Sequence, residues 1–275
     1  MTGAINTLTL TDRALVRVSG PDSRGFLQGL LTQDVEGLEA GALRYGALLT
    51  PQGRLLVDVF LLGTEDGVVI DVDAGRRDDL IRRLTLYRLR AKAQIVADDG
   101  AVEVCIGAAP EGEGWMADPR LAAMGWRRYG ASDPATDGDR EAWDAHRIAL
   151  AVPGMADFGD EATYPLEVNL DLLNGIDFKK GCFVGQETTS RMKRRGVIKS
   201  RLLPIAVEGA APAAGTEVLK GELRAGSTLS AVDGMALAVM RLDRLDGELT
   251  VDGRPARPAT PDWLTSALGQ GTGAV

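Results

Sequence analysis

Beyond Arg201 the sequence divides into short apolar stretches that turn-forming residues separate. The stretches begin roughly 8–12 residues apart, a spacing typical of a small antiparallel barrel or sandwich. They cover residues 202–207, 217–219, 227–230, 235–240 and 248–251. We therefore predict a separate all-β portion at 201–260. We expect the tail at 261–275 to be flexible, because small and polar residues at a chain end are seldom fixed.

Residues 1–200 mix helical and strand periodicities instead. Helical spacing follows Asp22, a plausible N-cap, and recurs at 76–90. Alternating apolar residues predict strands at 44–50 and 55–62, joined by the turn composition Thr50-Pro51-Gln52-Gly53. This mixture predicts an α+β core, and a length of 275 residues favours two or three lobes over one.

Composition narrows the possible classes of function. With 45% apolar and 25% charged residues the chain is neither disordered, collagenous nor a coiled coil. Two cysteines are too few for a disulfide scaffold, and long uncharged apolar runs that could span a membrane are missing. The N-terminal sequence lacks a basic region followed by an apolar one, so we expect a protein of the reducing cytoplasm. A net charge of −8 argues against non-specific nucleic-acid binding.

Several common catalytic devices are missing from the sequence. The chain has one histidine, His146, and no Gly-x-Ser-x-Gly turn, so a Ser-His-Asp relay is not supported. One histidine and two separated cysteines leave too few ligands for a structural zinc site or a permanently bound iron–sulfur cluster. Phosphate-binding P-loop and Gly-x-Gly-x-x-Gly sequences are also missing. We therefore predict no resident metal.

One stretch departs from the acidic average. Between Lys179 and Arg201 eight basic residues accompany a single acid, Glu187, so the stretch carries +7 on a chain of −8. The basic residues are Lys179, Lys180, Arg191, Lys193, Arg194, Arg195, Lys199 and Arg201. Such a run is either a solvated charged loop or a local site for anions, and charge alone does not distinguish the two.

Cys182 lies within this basic run, directly after two lysines and a glycine. Nearby cations favour thiolate over thiol. Gly181 and Gly185 allow the backbone to approach a ligand closely. Gln186 and Glu187 can begin a helix, whose N-terminus favours a thiolate or a bound anion.

The alternative for a free cysteine is a small buried packing residue, its commonest fate. Cys105, in the apolar stretch 102–106, is predicted to be such a residue. For Cys182 the charged surroundings indicate a reactive thiol with Lys180 as the activating cation. These two residues are the predicted catalytic pair, and a packing role for Cys182 stays open.

The segment Lys180-Gly181-Cys182-Phe183-Val184-Gly185-Gln186-Glu187 resembles the K-G-C-[FY]-x-G-Q-E signature of the YgfZ family. Three further segments are similar to family motifs, in order along the chain. They are 26–35, similar to F-L-Q-G-x-x-T-N-D-V with Gln33 in place of Asn; 50–54, similar to T-P-Q-G-R; and 164–170, similar to P-x-E-x-N. The resemblance runs from about residue 5 to 250. YgfZ proteins bind folate, are related to the glycine-cleavage T-protein, and are associated with assembly or repair of iron–sulfur enzymes.

This resemblance implies two intertwined α+β lobes at 1–200 and a C-terminal β-barrel at 201–260 around a central folate cleft. It implies tetrahydrofolate, or a one-carbon derivative, as the cofactor. Polar side chains would contact the pterin ring, and the basic run would bind the carboxylates of the folate tail. The predicted cofactor-binding residues are Gln28, Asp34, Glu167, Asn169, Gln186, Glu187, Arg191 and Arg194.

The chain departs from the T-protein where aminomethyl transfer needs acids. Leu55-Leu56-Val57-Asp58 contains one acid where the T-protein has adjacent aspartates, and Ala149 stands where another acid is expected. Three functions remain open. The first is a folate-dependent protein that supports iron–sulfur cluster assembly or repair through Cys182. The second is an aminomethyl- or methyltransferase, and the third is a non-catalytic scaffold that docks iron–sulfur assembly partners.

Overall fold

A computed structural model describes residues 7–131, 138–158, 161–196 and 198–270. The chain divides into two compact units, each built from two stretches. The first unit comprises residues 1–139 and 173–186, and the second comprises 140–172 and 187–275. The predicted boundaries at 200 and 260 stay a prediction about domains.

The first unit contains a five-stranded antiparallel sheet in the order β3-β4-β5-β2-β6. Its strands are β2 (Arg13–Ser19), β3 (Leu43–Leu49), β4 (Leu55–Thr64), β5 (Gly67–Asp73) and β6 (Gln94–Asp98). Nearly every residue of β5 and most residues of β4 are buried. Both faces of the sheet are therefore covered at its centre. Helices α1 (Ser23–Gln28) and α2 (Arg77–Arg88) pack against this sheet.

A second sheet of the first unit has the order β1-β7-β9-β8. Its strands are β1 (Thr7–Thr9), β7 (Ala101–Cys105), β8 (Met116–Ala117) and β9 (Trp126–Gly130). The predicted packing role of Cys105 is confirmed, because this residue ends β7 with 1% of its surface exposed.

The second unit contains a closed antiparallel barrel in the order β10-β13-β12-β11-β14-β15. Its strands are β10 (Ser200–Val207), β11 (Glu217–Lys220), β12 (Leu223–Val232), β13 (Met235–Arg241), β14 (Leu249–Val251) and β15 (Arg254–Pro258). Their inward side chains, among them Leu203, Ile205 and Val218, form one buried cluster. Closure leaves no sheet edge unpaired, which settles the choice between barrel and sandwich.

Three helices belong wholly or mainly to the second unit. They are α3 (Arg140–Ala149), α4 (Gln186–Arg195) and α5 (Asp262–Gln270). The predicted helix that begins at Gln186 is therefore confirmed. The segment predicted as a flexible tail begins with α5, and residues 271–275 lie outside the described residues. No helix in the described part of the chain is long and apolar enough to cross a membrane.

Asp22 occupies the predicted N-cap position of α1, but its side chain does not cap the helix. Its Oδ2 atom instead accepts a hydrogen bond from the backbone amide of Lys92, at 2.7 Å. The sequence pattern predicts that the Asp22 carboxylate caps α1, but in the structure this carboxylate binds residue 92, which is distant in sequence.

Candidate functional site

Lys180 holds the start of the signature segment against helix α1. Its Nζ atom donates to the carbonyl oxygen of Gln28, the last residue of α1, and to that of Leu31 at 2.7 Å. Carbonyl groups at the end of a helix lack partners within the helix, and a cation there is favourable. Burial lowers the pKa of Lys180 from 10.5 to about 8. The lysine predicted to activate Cys182 therefore has a structural task as well.

The Gln28 side chain completes this connection in the first unit. Its Nε2 atom donates to Oδ1 of Asp34 at 3.0 Å and to the carbonyl oxygen of Lys180 at 3.1 Å. Its Oε1 atom accepts from the amide of Val35 at 2.6 Å. The structure thus brings together three predicted site residues, Gln28, Asp34 and Lys180, and uses their polar atoms to fix the loop.

Asp34 is held as a carboxylate by its surroundings. Burial opposes its charge, but hydrogen bonds from Arg44, the Gly37 amide and Gln28 outweigh that cost and lower the pKa of Asp34. The Arg44 pair is 2.6 Å long, and 22% of the Asp34 side chain remains exposed. The negative charge is therefore balanced inside the first unit.

The residues that follow Cys182 are anchored as well. The Phe183 side chain is 7% exposed, and its ring centroid lies 5.2 Å from Nζ of Lys180. The amide of Val184 donates to the carbonyl oxygen of Gly29 at 3.2 Å. The Nε2 atom of Gln186 donates back to the carbonyl oxygen of Gly181 at 3.1 Å. The loop is therefore closed on itself and fixed to α1.

Gly185 brings the signature segment into contact with the Thr50–Gly53 turn. Its φ is +81°, and a Cβ atom there would lie 2.6 Å from the carbonyl oxygen of Thr50 and 2.9 Å from Cα of Gly53. Contacts this short exclude any side chain, so only glycine fits. Two segments that carry the family resemblance therefore meet in the first unit.

Cys182 is an exposed residue of this anchored loop. Its side chain is solvent-accessible, whereas the other cysteine, Cys105, is buried, and burial raises the pKa of the Cys105 thiol. A packing role for Cys182 is thus excluded. The fold presents its thiol on a segment whose neighbours, Lys180 and Phe183, cannot move freely.

Glu167 and Asn169 lie in the second unit, at a 3-10 turn formed by Pro165–Val168. Glu167 accepts a hydrogen bond from the amide of Tyr164 at 3.0 Å, which closes that turn. Asn169 is fully buried, and its Nδ2 atom donates to the carbonyl oxygen of Leu202 at 2.8 Å. Both side chains have partners within the protein, and their contact with a ligand stays a prediction.

The basic run separates into buried and exposed cations. Arg201 is 5% exposed and forms two hydrogen bonds, of 2.6 and 3.0 Å, with Asp171. The cations on α4 are exposed, as is Glu187 in its first turn. They are Arg191, Lys193, Arg194 and Arg195. Arg201 is therefore a structural residue, and α4 carries the surface charge that could attract an anion.

Asp58, the single acid after the Thr50–Gly53 turn, belongs to a buried ion network in the first unit. Its Oδ1 atom accepts from Arg13 at 3.2 Å, and Arg13 also donates to Asp71 at 2.6 Å. Asp71 in turn accepts from Arg127 at 2.6 Å. The Arg127 guanidinium lies 3.8 Å from the ring centroid of Phe60. Because Asp58 is 2% exposed and pairs with Arg13, its carboxylate has a structural role in the core.

Sequence patterns predicted the signature loop but missed what holds it. The Lys180 contacts with α1 span about 150 residues of sequence, and the Asp58–Arg13–Asp71 connections join separate strands. Strand arginines such as Arg127 have the same appearance in sequence whether they are buried or solvated. Groups of three or more His, Cys, Asp or Glu side chains that could hold a metal ion are not found among the described residues.

The fold of the chain is that of a known class of protein. The chain is similar to the glycine cleavage system aminomethyltransferase T of Bartonella henselae, with a TM-score of 0.74 over 93% of this chain and 85% of that one. Identity between the two is 14%, so this likeness concerns the fold alone. The CAF17 C-terminal beta-barrel domain matches residues 199–266. The prediction of an α+β fold like that of the T-protein, with a C-terminal barrel, is confirmed.

Sequence relatives then give the family. The mouse iron-sulfur cluster assembly factor IBA57, mitochondrial, is 32% identical over 94% of this chain and 85% of its own length. The human protein of that name is 32% identical over 92% of this chain and 84% of its own. The Neurospora crassa homolog is 35% identical over 74% of this chain, which spans 54% of that protein. The chain belongs to the IBA57 family.

These relatives also correct one expectation. The sequence predicted a cytoplasmic protein, whereas the mouse, human and Neurospora relatives are named as mitochondrial proteins. The prediction is therefore wrong. It relied on a missing secretory pattern, which does not distinguish the cytoplasm from the mitochondrion.

Proposed function

We propose that this chain is an iron–sulfur cluster assembly factor, that it corresponds to YgfZ in function, and that it acts through the Cys182 thiol with a reduced folate bound. The observation that carries the proposal is the anchored loop around an exposed Cys182, in a chain of the IBA57 family. A cysteine that needed only to pack would not require two fixed neighbours and an open side chain.

Cys182 is the reacting group in this proposal. An exposed thiol can become a thiolate, the form in which cysteine acts as a nucleophile or donates to iron. Lys180 is a positioning residue, because its ammonium donates hydrogen bonds to the carbonyl oxygens of Gln28 and Leu31. Its effect on Cys182 comes through the loop geometry and through the positive charge that it keeps below about pH 8.

The residues fit a folate unequally. Gln28, Asp34 and Asn169 have their polar atoms engaged within the protein, so direct contact with a pterin would require those bonds to be shared. Arg191 and Arg194, both exposed on α4, fit the carboxylates of a folate tail. A bound tetrahydrofolate would supply one-carbon chemistry. The chain's part is to bind its anionic tail through α4 and to hold the Cys182 thiol in place.

Aminomethyl transfer is less well supported. The acid after the glycine turn, Asp58, is paired with Arg13 in the core, and Ala149 stands where the T-protein has an acid. A buried, paired carboxylate cannot serve as a general base without breaking its network. We therefore place the chemistry at the thiol.

The proposal is tested in cells that lack the protein. Cys182→Ala should abolish rescue of iron–sulfur enzyme activities, and Cys105→Ala, the matched control, should rescue like wild type if it folds. Purified Cys182→Ala should keep the wild-type melting temperature, because the side chain is exposed. Full rescue by Cys182→Ala would overturn the role of the thiol.

Folate binding is tested separately by calorimetry with tetrahydrofolate. We expect wild type and Cys182→Ala to bind alike. The double variant Arg191→Glu/Arg194→Glu should bind at least tenfold more weakly, with its fold unchanged. Lack of binding to wild type would remove the folate from the proposal and leave the thiol test standing.

A further inference from the structure

A second basic segment lies in the first unit, and it shares no residue with the Cys182 loop. Residues 82–97 contain five cations and no acid, on a chain of net charge −8. The cations are Arg82, Arg83, Arg88, Arg90 and Lys92. Arg82 and Arg83 pair with Asp79, and Arg88 donates to the carbonyl oxygen of Ala93. Across the described ranges, Arg90 and Lys92 have no side-chain partner.

Large apolar side chains stand among these cations. Leu86 is 66% exposed, Tyr87 43% and Leu89 87%. Three such residues within four positions form an apolar patch rather than a single solvated side chain. The patch lies at the C-terminal end of α2, which ends at Arg88.

Leu89 is held in an unfavourable backbone conformation. Its φ is +46° and its ψ is −105°, a region that bulky residues rarely adopt. Strain of this kind is concentrated at functional sites. Glycine would take this conformation without cost, and the exposed leucine side chain contributes little to packing. An apolar contact with a partner at the surface would explain why leucine occupies this position.

A cleft of about 520 Å³ is lined by residues 91–94, which follow this patch in sequence. Its lining includes Gly20 and Pro21 after β2, Asp66 between β4 and β5, Lys92, and Gln94 at the start of β6. The lining is fixed, because Asp22 binds the backbone of Lys92 in both directions. The cleft therefore has a defined shape, with the Lys92 ammonium beside it.

Strand β6 borders the cleft and forms one edge of the five-stranded sheet. Among the residues that the structure describes it pairs with β2 alone, and Gln94, Val96 and Ala97 are exposed. An unpaired strand edge can accept an extended segment from another chain, which adds as a further strand. Apolar patch, cleft lining and strand edge thus follow one another along residues 86–98.

We propose that this surface binds an extended acidic segment of a partner protein, which adds to the edge of β6 and packs an apolar side chain against Leu86 and Leu89. Arg90 and Lys92, the two cations of the segment that pair with no side chain in the described ranges, favour an acidic partner. A second copy of this chain is not favoured, since symmetric pairing would bring two basic surfaces together. An anionic membrane is not favoured either, because lipids do not use the backbone groups of a strand edge and the whole protein is acidic.

The test uses a fluorescent nine-residue peptide, acetyl-EVELEVELE, and a matched peptide with Lys in place of every Glu. We expect saturable binding of the acidic peptide only. Arg90→Glu/Lys92→Glu should weaken it at least tenfold, and Leu89→Gly about fivefold. Leu223→Ser, at the exposed leucine of β12, should leave it unchanged. Amides 94–98 should gain protection from hydrogen exchange when the peptide binds.

Leu89→Gly separates binding from folding. It should leave the melting temperature equal to or above that of wild type, because it relieves the strained φ while removing the apolar contact. Equal binding of the two peptides, unchanged binding in both patch variants, or no added protection at 94–98 would overturn the proposal. Binding to phosphatidylserine vesicles without binding to the peptide would overturn it in favour of a membrane. A dimer that Leu89→Gly dissolves would overturn it in favour of a second copy.

Discussion

The Nζ atom of Lys180 lies 2.7 Å from the carbonyl oxygen of Leu31, to which it donates a hydrogen bond across 149 residues of sequence. This contact and the one to Gln28 fix the first residue of the signature segment. The thiol of Cys182, two positions further along, therefore lies on a loop that these hydrogen bonds fix to the end of α1. The conformation of the loop depends on the protonation and packing of one lysine.

Lys180 should give the protein a distinctive pH dependence. Its folded-state pKa is lowered to about 8 by burial, so between about pH 8 and 10.5 the unfolded chain binds more protons at this residue. The lysine's contribution to stability must then rise with pH across that window. In urea unfolding, the free energy of unfolding of wild type relative to that of Lys180→Met should increase from pH 8 to pH 10. A difference that shifts the other way would mean that the ammonium is favoured by folding.

The two cysteines should react at very different rates. Iodoacetamide should modify Cys182 in the native protein, since its side chain is exposed, and should leave Cys105 intact. Cys105 is 1% exposed and burial raises the pKa of its thiol. Mass spectrometry should count one adduct in buffer and two in urea, and Cys182→Ala should take no adduct in buffer. Modification of Cys105 in the native protein would contradict the buried position of β7.

Gly185 should tolerate substitution less than Gly181. Both have positive φ, +81° and +99°, so alanine strains the backbone at either site by about 1–2 kcal/mol. Only at Gly185 would the new Cβ meet backbone atoms, whereas at Gly181 nothing lies within 4 Å. Gly185→Ala should therefore cost about 3 kcal/mol or more in free energy of unfolding. Gly181→Ala is the matched control, and equal losses would refute the contact with the Thr50–Gly53 turn.

Asp71 should be among the residues least tolerant of neutralisation. It is 1% exposed and accepts from Arg13, Arg127 and Tyr129, so Asp71→Asn removes the carboxylate that two buried guanidinium groups share. We expect a loss of about 3–5 kcal/mol.

The control for this prediction is Asp98→Asn, which removes the partly exposed pair with Arg17 and should cost about 0–1 kcal/mol. Both values come from urea unfolding at pH 7. A loss of under 1 kcal/mol in Asp71→Asn would show that the network admits water.

The sequence predicted elements better than it predicted contacts. The barrel, the helix from Gln186 and the burial of Cys105 follow from spacing and local composition, which act over a few residues. The engagement of Lys180 with α1 does not, because a lysine beside a cysteine has the same local pattern whether it activates a thiol or binds carbonyl groups. The segment 82–97 was missed because its cations occur at helical spacing, which is also typical of a solvated helix face.

The long reach of the Lys180 contacts also has a kinetic side. Closing a loop of about 150 residues is entropically costly, and contacts of high sequence separation form slowly. The sheet strands β2 to β5 lie within residues 13–73, so their pairing closes much shorter loops. We therefore expect the ordered display of Cys182 to be a late event on the folding route, and its exposed thiol to report on a chain that has finished folding.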